Sequence, residues 1–220
     1  MRRFNEPVTI EKILRTHAQR KAEIRSRLKE FEDIWLNASD ERLWEEMVFC
    51  FFTGGCSAKM GLKSIDSVRP LLMDGTQEEI EKALLGKHRY PRARAKYVVS
   101  TREFLKKHFQ MRIREKLNEF FDPMERRDWL AQERGIKGLG YKEASHFLRN
   151  IGFKGYAILD KHVVRSMVEL GLIKEPSLPN SRAKYLKLEE ILRDFSEGLG
   201  IDMDEMDLVL WSIKTGEVLK

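Results

Sequence analysis

Lys142 and Asp160 stand 18 positions apart, and each is of a type that can act on a sugar carbon. A lysine amine attacking C1′ of a nucleotide forms a Schiff base, which divides one difficult bond cleavage into two easier steps. A carboxylate nearby stabilises the positive charge that the sugar develops as its base departs. The amine must be partly neutral to attack, a condition that neighbouring cations or desolvation can arrange. Each residue also has an ordinary reading: a solvated lysine in the first turn of a helix, and an aspartate capping the helix that opens Lys161-His162-Val163-Val164. The two readings of Asp160 are compatible, because a cap oxygen can also face a cleft.

Two residues before Lys142 ends the run Gly138-Leu139-Gly140, with Lys137 ahead of it. Glycines at both ends permit a tight turn and close backbone approach, and Leu139 is the natural inward anchor. The amides of such a turn, added to the N-terminus of the following helix, form a nest that attracts a phosphate. Lys137 places a positive side chain beside them. An ordinary helix–helix turn uses glycine as well, so the hairpin alone does not decide function.

The elements that must hold these residues read almost entirely as helix. Ile10, Ile13, Leu14, His17, Ile24, Leu28, Phe31 and Trp35 recur at three-to-four spacing, and Leu43, Trp44, Met47, Val48, Phe51 and Phe52 form a denser stripe for a helix buried on most sides. Thr76 with Glu79 is a capping box that opens a helix toward Leu85. Pro91 and Asp122-Pro123 mark two further helix starts, the second leading into a short helix at about 126–134. Helices follow over 142–150, from Asp160, over 186–199 and over 203–213, the last stopped by Gly216. No segment alternates with a period of two between hairpin turns, so the fold class expected is all-α.

Bulk composition narrows the class. The chain has 220 residues, 42% hydrophobic and 35% charged, which fits one globular domain. No apolar run is long enough for a membrane span and no apolar segment follows Arg2-Arg3, so a cytoplasmic protein without a membrane partner is expected. Cys50 and Cys56 make neither a disulfide framework nor the four ligands of an iron–sulfur cluster or zinc site; buried free thiols are expected, with no metal and no cofactor. A net charge of +6 leans weakly toward an anionic partner.

Taken jointly, these features resemble the helix-hairpin-helix superfamily of DNA glycosylases that includes endonuclease III and the 8-oxoguanine glycosylases. In that superfamily a Gly-x-Gly hairpin is followed two residues later by the catalytic lysine, as Gly138-Leu139-Gly140-Tyr141-Lys142 is here, and the catalytic aspartate lies 18 positions on, as Asp160 does. His162 occupies the place of a histidine that touches DNA phosphate in some members. Phe49–Gly61, His88–Val99 and Gly155–Arg165 carry the similarity further, toward the second class of 8-oxoguanine DNA glycosylase/AP lyase, found in archaea and some bacteria.

The resemblance implies two helical lobes flanking a cleft, residues 1–50 plus 155–220 forming one and 51–154, with the hairpin, the other. It implies a monomeric, nucleoid-associated repair enzyme that extrudes 8-oxoguanine from double-stranded DNA, excises it through Lys142 and Asp160, and nicks the strand by β-elimination. The hairpin residues Lys137, Gly138, Leu139 and Gly140, with His162, would bind DNA. Base recognition falls to Trp211, to Asp207 four residues earlier on the same helical face, and to the carboxylate of a terminal lysine, Lys220. Where relatives often carry asparagine to fill the gap left by the flipped nucleotide, Thr53-Gly54-Gly55-Cys56 offers little bulk, which predicts loose recognition of the opposite base. The alternatives are the same mechanism on an oxidised pyrimidine, decided by pocket residues, and a non-catalytic DNA-binding module, which would need neither Lys142 nor Asp160.

Overall fold

A computed structural model describes residues 6–219, and all regular structure among them is helical. Contacts divide the chain into two compact units, Met1–Glu32 with Gly152–Lys220, and Asp33–Ile151. The expected lobe boundary at residue 50 falls inside the helix Asp40–Thr53, and the division by contacts falls inside the helix Ile10–Asn37.

The discontinuous unit contains most of α1 (Ile10–Asn37), then α9 (Lys161–Glu169), α10 (Arg182–Gly198) and α11 (Met203–Thr215). Helix α11 packs against both α9 and α10. Its buried apolar residues Met206, Val209 and Leu210 build one core with Val163, Val164, Met167 and Leu192 of its neighbours. Ionic contacts reinforce the packing: Glu205 of α11 takes His17 and Arg25 of α1, and Glu169 takes Lys214 and the Val8 amide. Only Ile13, Ile24 and Phe31 of the α1 stripe are buried, while Ile10 and Leu14 are exposed, so the buried face of α1 is narrower than its sequence period implies.

The continuous unit contains α2 (Asp40–Thr53), α3 (Ala58–Val68), a 3-10 turn (Arg69–Leu71), α4 (Gln77–Leu84), α5 (Pro91–Phe109), α6 (Ile113–Asn118), α7 (Pro123–Gln132) and α8 (Tyr141–Asn150). Helix α2 is buried from Met47 through Thr53, as its dense apolar run requires, and packs against α3, α5, α6 and α8. The capping box of α4 forms in both directions: Thr76 Oγ1 accepts from the Glu79 amide at 3.2 Å, and Glu79 Oε2 accepts from the Thr76 amide at 2.8 Å. Asp122 caps α7 through the Met124 amide, and prolines occupy the first turns of α5 and α7. Two helices, α3 and α6, lack a clear sequence signature; α3 carries Gly61 and five polar residues in eleven, and α6 is only six residues long. Cys50 is buried as expected, but Cys56, beside the α2 C-terminus, is only half-buried.

Candidate active site

The hairpin lies between α7 and α8 and is tied to α5. The Lys137 amide donates to Thr101 Oγ1 at 2.8 Å, and Ile136 and Leu139 are both buried, so the turn is anchored from inside while Lys137 and Gly140 remain exposed. The two glycines differ in kind. Gly138 has φ +86°, and a Cβ there would lie 2.6 Å from the Tyr97 ring, so conformation and space both demand glycine. Gly140 has φ −93° and ψ −172°, backbone that any residue adopts. The turn's conformation requires glycine only at Gly138; Gly140 is the N-cap of α8, supplies no side chain to cap the helix, and a Cβ there would lie 3.3 Å from Glu143 Oε2. The first-turn amides of an α-helix have no acceptor within the helix, and an uncapped start leaves them available to an anion.

Lys142 sits in that first turn. Its side chain is 23% exposed, with Nζ 3.6 Å from Oε1 of Glu143, whose side chain is similarly sheltered. No spacing or motif singles out Glu143, yet it places a carboxylate beside the amine. Behind Lys142, every residue from Ala144 through Asn150 is buried, and Arg127 of α7 donates to Ser145 Oγ at 3.2 Å. Tyr141 OH donates to Asp128 Oδ1 at 3.0 Å. The base of Lys142 is thus fixed by packing on one side and by α7 on the other.

A second cluster in the same unit surrounds Gly54 and Gly55. The Arg94 guanidinium donates to the Gly54 carbonyl and stacks over Tyr97 at 5.2 Å and Tyr90 at 5.8 Å, while Arg89 lies over the Tyr90 ring at 5.3 Å. Tyr90 is 42% exposed, and a Cβ on Gly55 would touch it at 3.6 Å. Beside the small residues of Thr53–Cys56 stand Tyr90 and its arginines, from a stretch 35 residues later that only the fold brings close. An exposed ring flanked by guanidinium groups can stack on a nucleobase. His88 fixes this corner: Nε2 bonds the Phe52 carbonyl at 3.0 Å, and Nδ1 accepts from the Tyr90 amide at 3.0 Å. That pattern specifies the neutral tautomer carrying its proton on Nε2. Burial, aided by Arg94, lowers the His88 pKa below its ordinary 6.5.

Asp160 belongs to the other unit and caps α9, its Oδ1 accepting from the amides of His162 at 2.8 Å and Val163 at 2.9 Å. Oδ2 takes no part in the cap. The residues leading to it are buried, with side chains of α10 and α11 holding their backbone: Glu189 Oε1 accepts from Ala157 at 2.9 Å, and Tyr185 OH lies 3.3 Å from the Leu159 amide. Asp207, expected at the base, is buried, and its Oδ1 accepts from the Ile158 amide at 3.3 Å; the structure engages it with this segment. Trp211, one turn further along α11, is half-buried and retains an accessible face. His162 is half-buried; burial lowers its pKa against the opposing pull of Asp160, with Lys161, Arg165 and Lys214 adding to the depression. Lys220 lies outside the described residues.

Known proteins bear on these features. The sequence profile of a family described as 8-oxoguanine DNA glycosylase matches residues 24–201. An 8-oxoguanine DNA glycosylase/AP lyase from Korarchaeum cryptofilum is 42% identical over 199 residues, 90% of either chain. Another, from Fusobacterium nucleatum, is 36% identical over 220 residues, covering 99% of this chain and 97% of that one. The crystal structure of the Methanocaldococcus jannaschii 8-oxoguanine glycosylase/lyase in complex with 15mer DNA containing 8-oxoguanine superimposes with a TM-score of 0.87 at 36% identity, covering 96% of this chain and 99% of that one.

Proposed function

The chain belongs to the 8-oxoguanine DNA glycosylase family, and from that premise we propose that it excises 8-oxoguanine from double-stranded DNA and cleaves the resulting strand as an AP lyase. The observation that carries the catalytic assignment is Lys142, a sheltered amine in the first turn of a helix whose start is uncapped and follows the Gly138-Leu139-Gly140 hairpin.

In this reading a backbone phosphate docks on the α8 N-terminus and Lys137, and the lesion nucleotide leaves the stack. Lys142 Nζ attacks C1′: the N–C1′ bond forms, the glycosidic bond breaks, and the base departs with a proton. Asp160 stabilises the positive charge on the sugar during that step. The sugar ring then opens to a Schiff base, a C2′ proton is removed, and the C3′–O bond breaks to release the 3′ phosphate. Trp211 offers the extruded base a stacking face. None of these steps draws on a metal or an organic cofactor. Among the described residues no helix is long and apolar enough to cross a membrane, and work on the nucleoid in the cytoplasm fits the substrate.

The test uses duplexes carrying 8-oxoguanine, thymine glycol, uracil or an abasic site, incubated with protein and borohydride. The expected result is a covalent adduct and strand cleavage with 8-oxoguanine DNA, both lost in Lys142→Gln while duplex binding persists. An adduct only with thymine glycol would move the substrate to an oxidised pyrimidine. Salt-sensitive binding without an adduct on any duplex would leave a non-catalytic DNA-binding module.

A further inference from the structure

The three residues before Asp160 are held in an unusual way. Ala157, Ile158 and Leu159 are buried and lie outside any helix, and buried backbone amides must find acceptors. A helix or a sheet supplies them from its own backbone, but this segment is in no helix and there is no strand among the described residues. Here the acceptors are side chains of two helices. Glu189 of α10 accepts from Ala157 at 2.9 Å, Asp207 of α11 accepts from Ile158 at 3.3 Å, and Tyr185 of α10 donates its hydroxyl to the Ala157 carbonyl at 2.7 Å while its oxygen lies 3.3 Å from the Leu159 amide. Two residues earlier, Asp204 receives the Gly155 amide at 3.2 Å on each carboxylate oxygen, and Arg193 donates to the Gly155 carbonyl at 3.2 Å. The Asp160 amide then folds back onto the Ile158 carbonyl at 2.7 Å.

Three carboxylates are committed to this short segment, and they are 2% (Glu189), 4% (Asp204) and 4% (Asp207) exposed. Burying carboxylates is costly unless each is well paired. Neutral carbonyls or hydroxyls would satisfy the same amides at lower desolvation cost. What a carboxylate adds is a stronger acceptor than a neutral oxygen, seen best in the 2.9 Å bond from Ala157 to Glu189, and with it a stiffer register. That stiffness is delivered to one place, the N-cap carboxylate that follows.

We propose that Glu189 and Tyr185, with Asp207, are positioning residues for Asp160: they fix the segment 157–159 and thereby aim the carboxylate that stabilises the sugar charge. The proposal rests on the catalytic assignment of Asp160 made above. It predicts an effect that acts through Asp160 and not through general stability, because misplacing a catalytic group by about 1 Å can cost on the order of 100-fold in rate.

The test measures single-turnover excision of 8-oxoguanine for Glu189→Met, which keeps bulk but removes the acceptor, and for Glu189→Gln, which keeps an acceptor oxygen. Both are made alone and combined with Asp160→Asn, with duplex Kd and Tm recorded. The expected result is a loss of about 10- to 100-fold in rate for Glu189→Met, with Kd unchanged, substantial rescue in Glu189→Gln, and no further loss when Glu189→Met is added to Asp160→Asn. A wild-type rate for Glu189→Met, or the same fold-loss in both backgrounds, would overturn the positioning role. If Glu189→Met does not fold, Tyr185→Phe is judged by the same comparison. Should Asp160→Asn alone excise at the wild-type rate, the catalytic assignment of Asp160 itself fails, and this outcome is distinct from failure of the positioning role.

Discussion

Asp160 caps α9 with a single oxygen, Oδ1, that accepts from both His162 and Val163. Asparagine places an oxygen in the same position and is about as good an N-cap, so Asp160→Asn removes charge while preserving the helix start. Base release should slow by roughly 100- to 1,000-fold, the usual cost of losing one preorganised electrostatic group, with Tm nearly unchanged. Asp160→Ala should show the same kinetic loss together with about 0.5–2 kcal/mol of lost stability. Stopped single-turnover assays alongside thermal melts check both statements, and a large fall in Tm for Asp160→Asn would show that the carboxylate serves mainly the fold. Lys142 differs in kind: its removal leaves no nucleophile, so Lys142→Gln should give no trapped adduct at any lesion, whereas slow turnover with adduct would point to another amine.

At the scale of elements, the hairpin separates a structural glycine from a functional one. Gly138→Ala forces a Cβ onto φ +86° and against Tyr97, and should cost about 1–3 kcal/mol of stability. Gly140→Ser should do the reverse. Its backbone already has N-cap geometry, so serine would bond the α8 amides and raise stability by roughly a few tenths of a kcal/mol. The same hydroxyl would occupy the amides that a phosphate needs, so affinity for duplex DNA should fall as stability rises. Urea denaturation and duplex Kd values for the two variants decide the matter, and unchanged affinity in Gly140→Ser would mean that the α8 N-terminus does not receive phosphate. The capping box of α4 and the proline starts of α5 and α7 follow directly from short sequence patterns, because the bonds that make them span three residues or fewer.

The whole molecule carries its pH sensitivity in two windows. His88 and His162 have pKa values lowered chiefly by burial. Such groups bind fewer protons folded than unfolded, so stability present above about pH 6.5 is lost as pH falls through their folded values. Protonating His88 would also place a donor against the Tyr90 amide. Glu169 and Glu205 form the second window: burial alone would raise them, but bonds from Lys214 and the Val8 amide, and from His17 and Arg25, outweigh it and lower both. Their contribution is present above about pH 4.5 and is lost below it. Tm measured from pH 8 to pH 3 should therefore decline in two stages. His88→Gln should be less stable at pH 8 and show a shallower first stage; an undiminished first stage would exclude His88 as a source of it.

Sequence by itself determined what depends on neighbours along the chain. It gave the helical class, the caps at Thr76, Asp122 and Asp160, the Gly216 stop, and the spacing of hairpin, Lys142 and Asp160 that carries the family resemblance. These are local because helical hydrogen bonds and caps close over three or four residues. Only tertiary structure decided that Gly138 needs its missing side chain while Gly140 does not, since Tyr97 lies 41 residues away in the chain. It alone brought Tyr90 and Arg94 to the gap at Gly54–Gly55, turned Asp207 inward, and recruited Glu189 and Tyr185 to the segment before Asp160. A buried carboxylate on an amphipathic helix reads in sequence as one more solvated charge. Which backbone amide it meets is fixed by how helices pack, and that information is spread over the whole core.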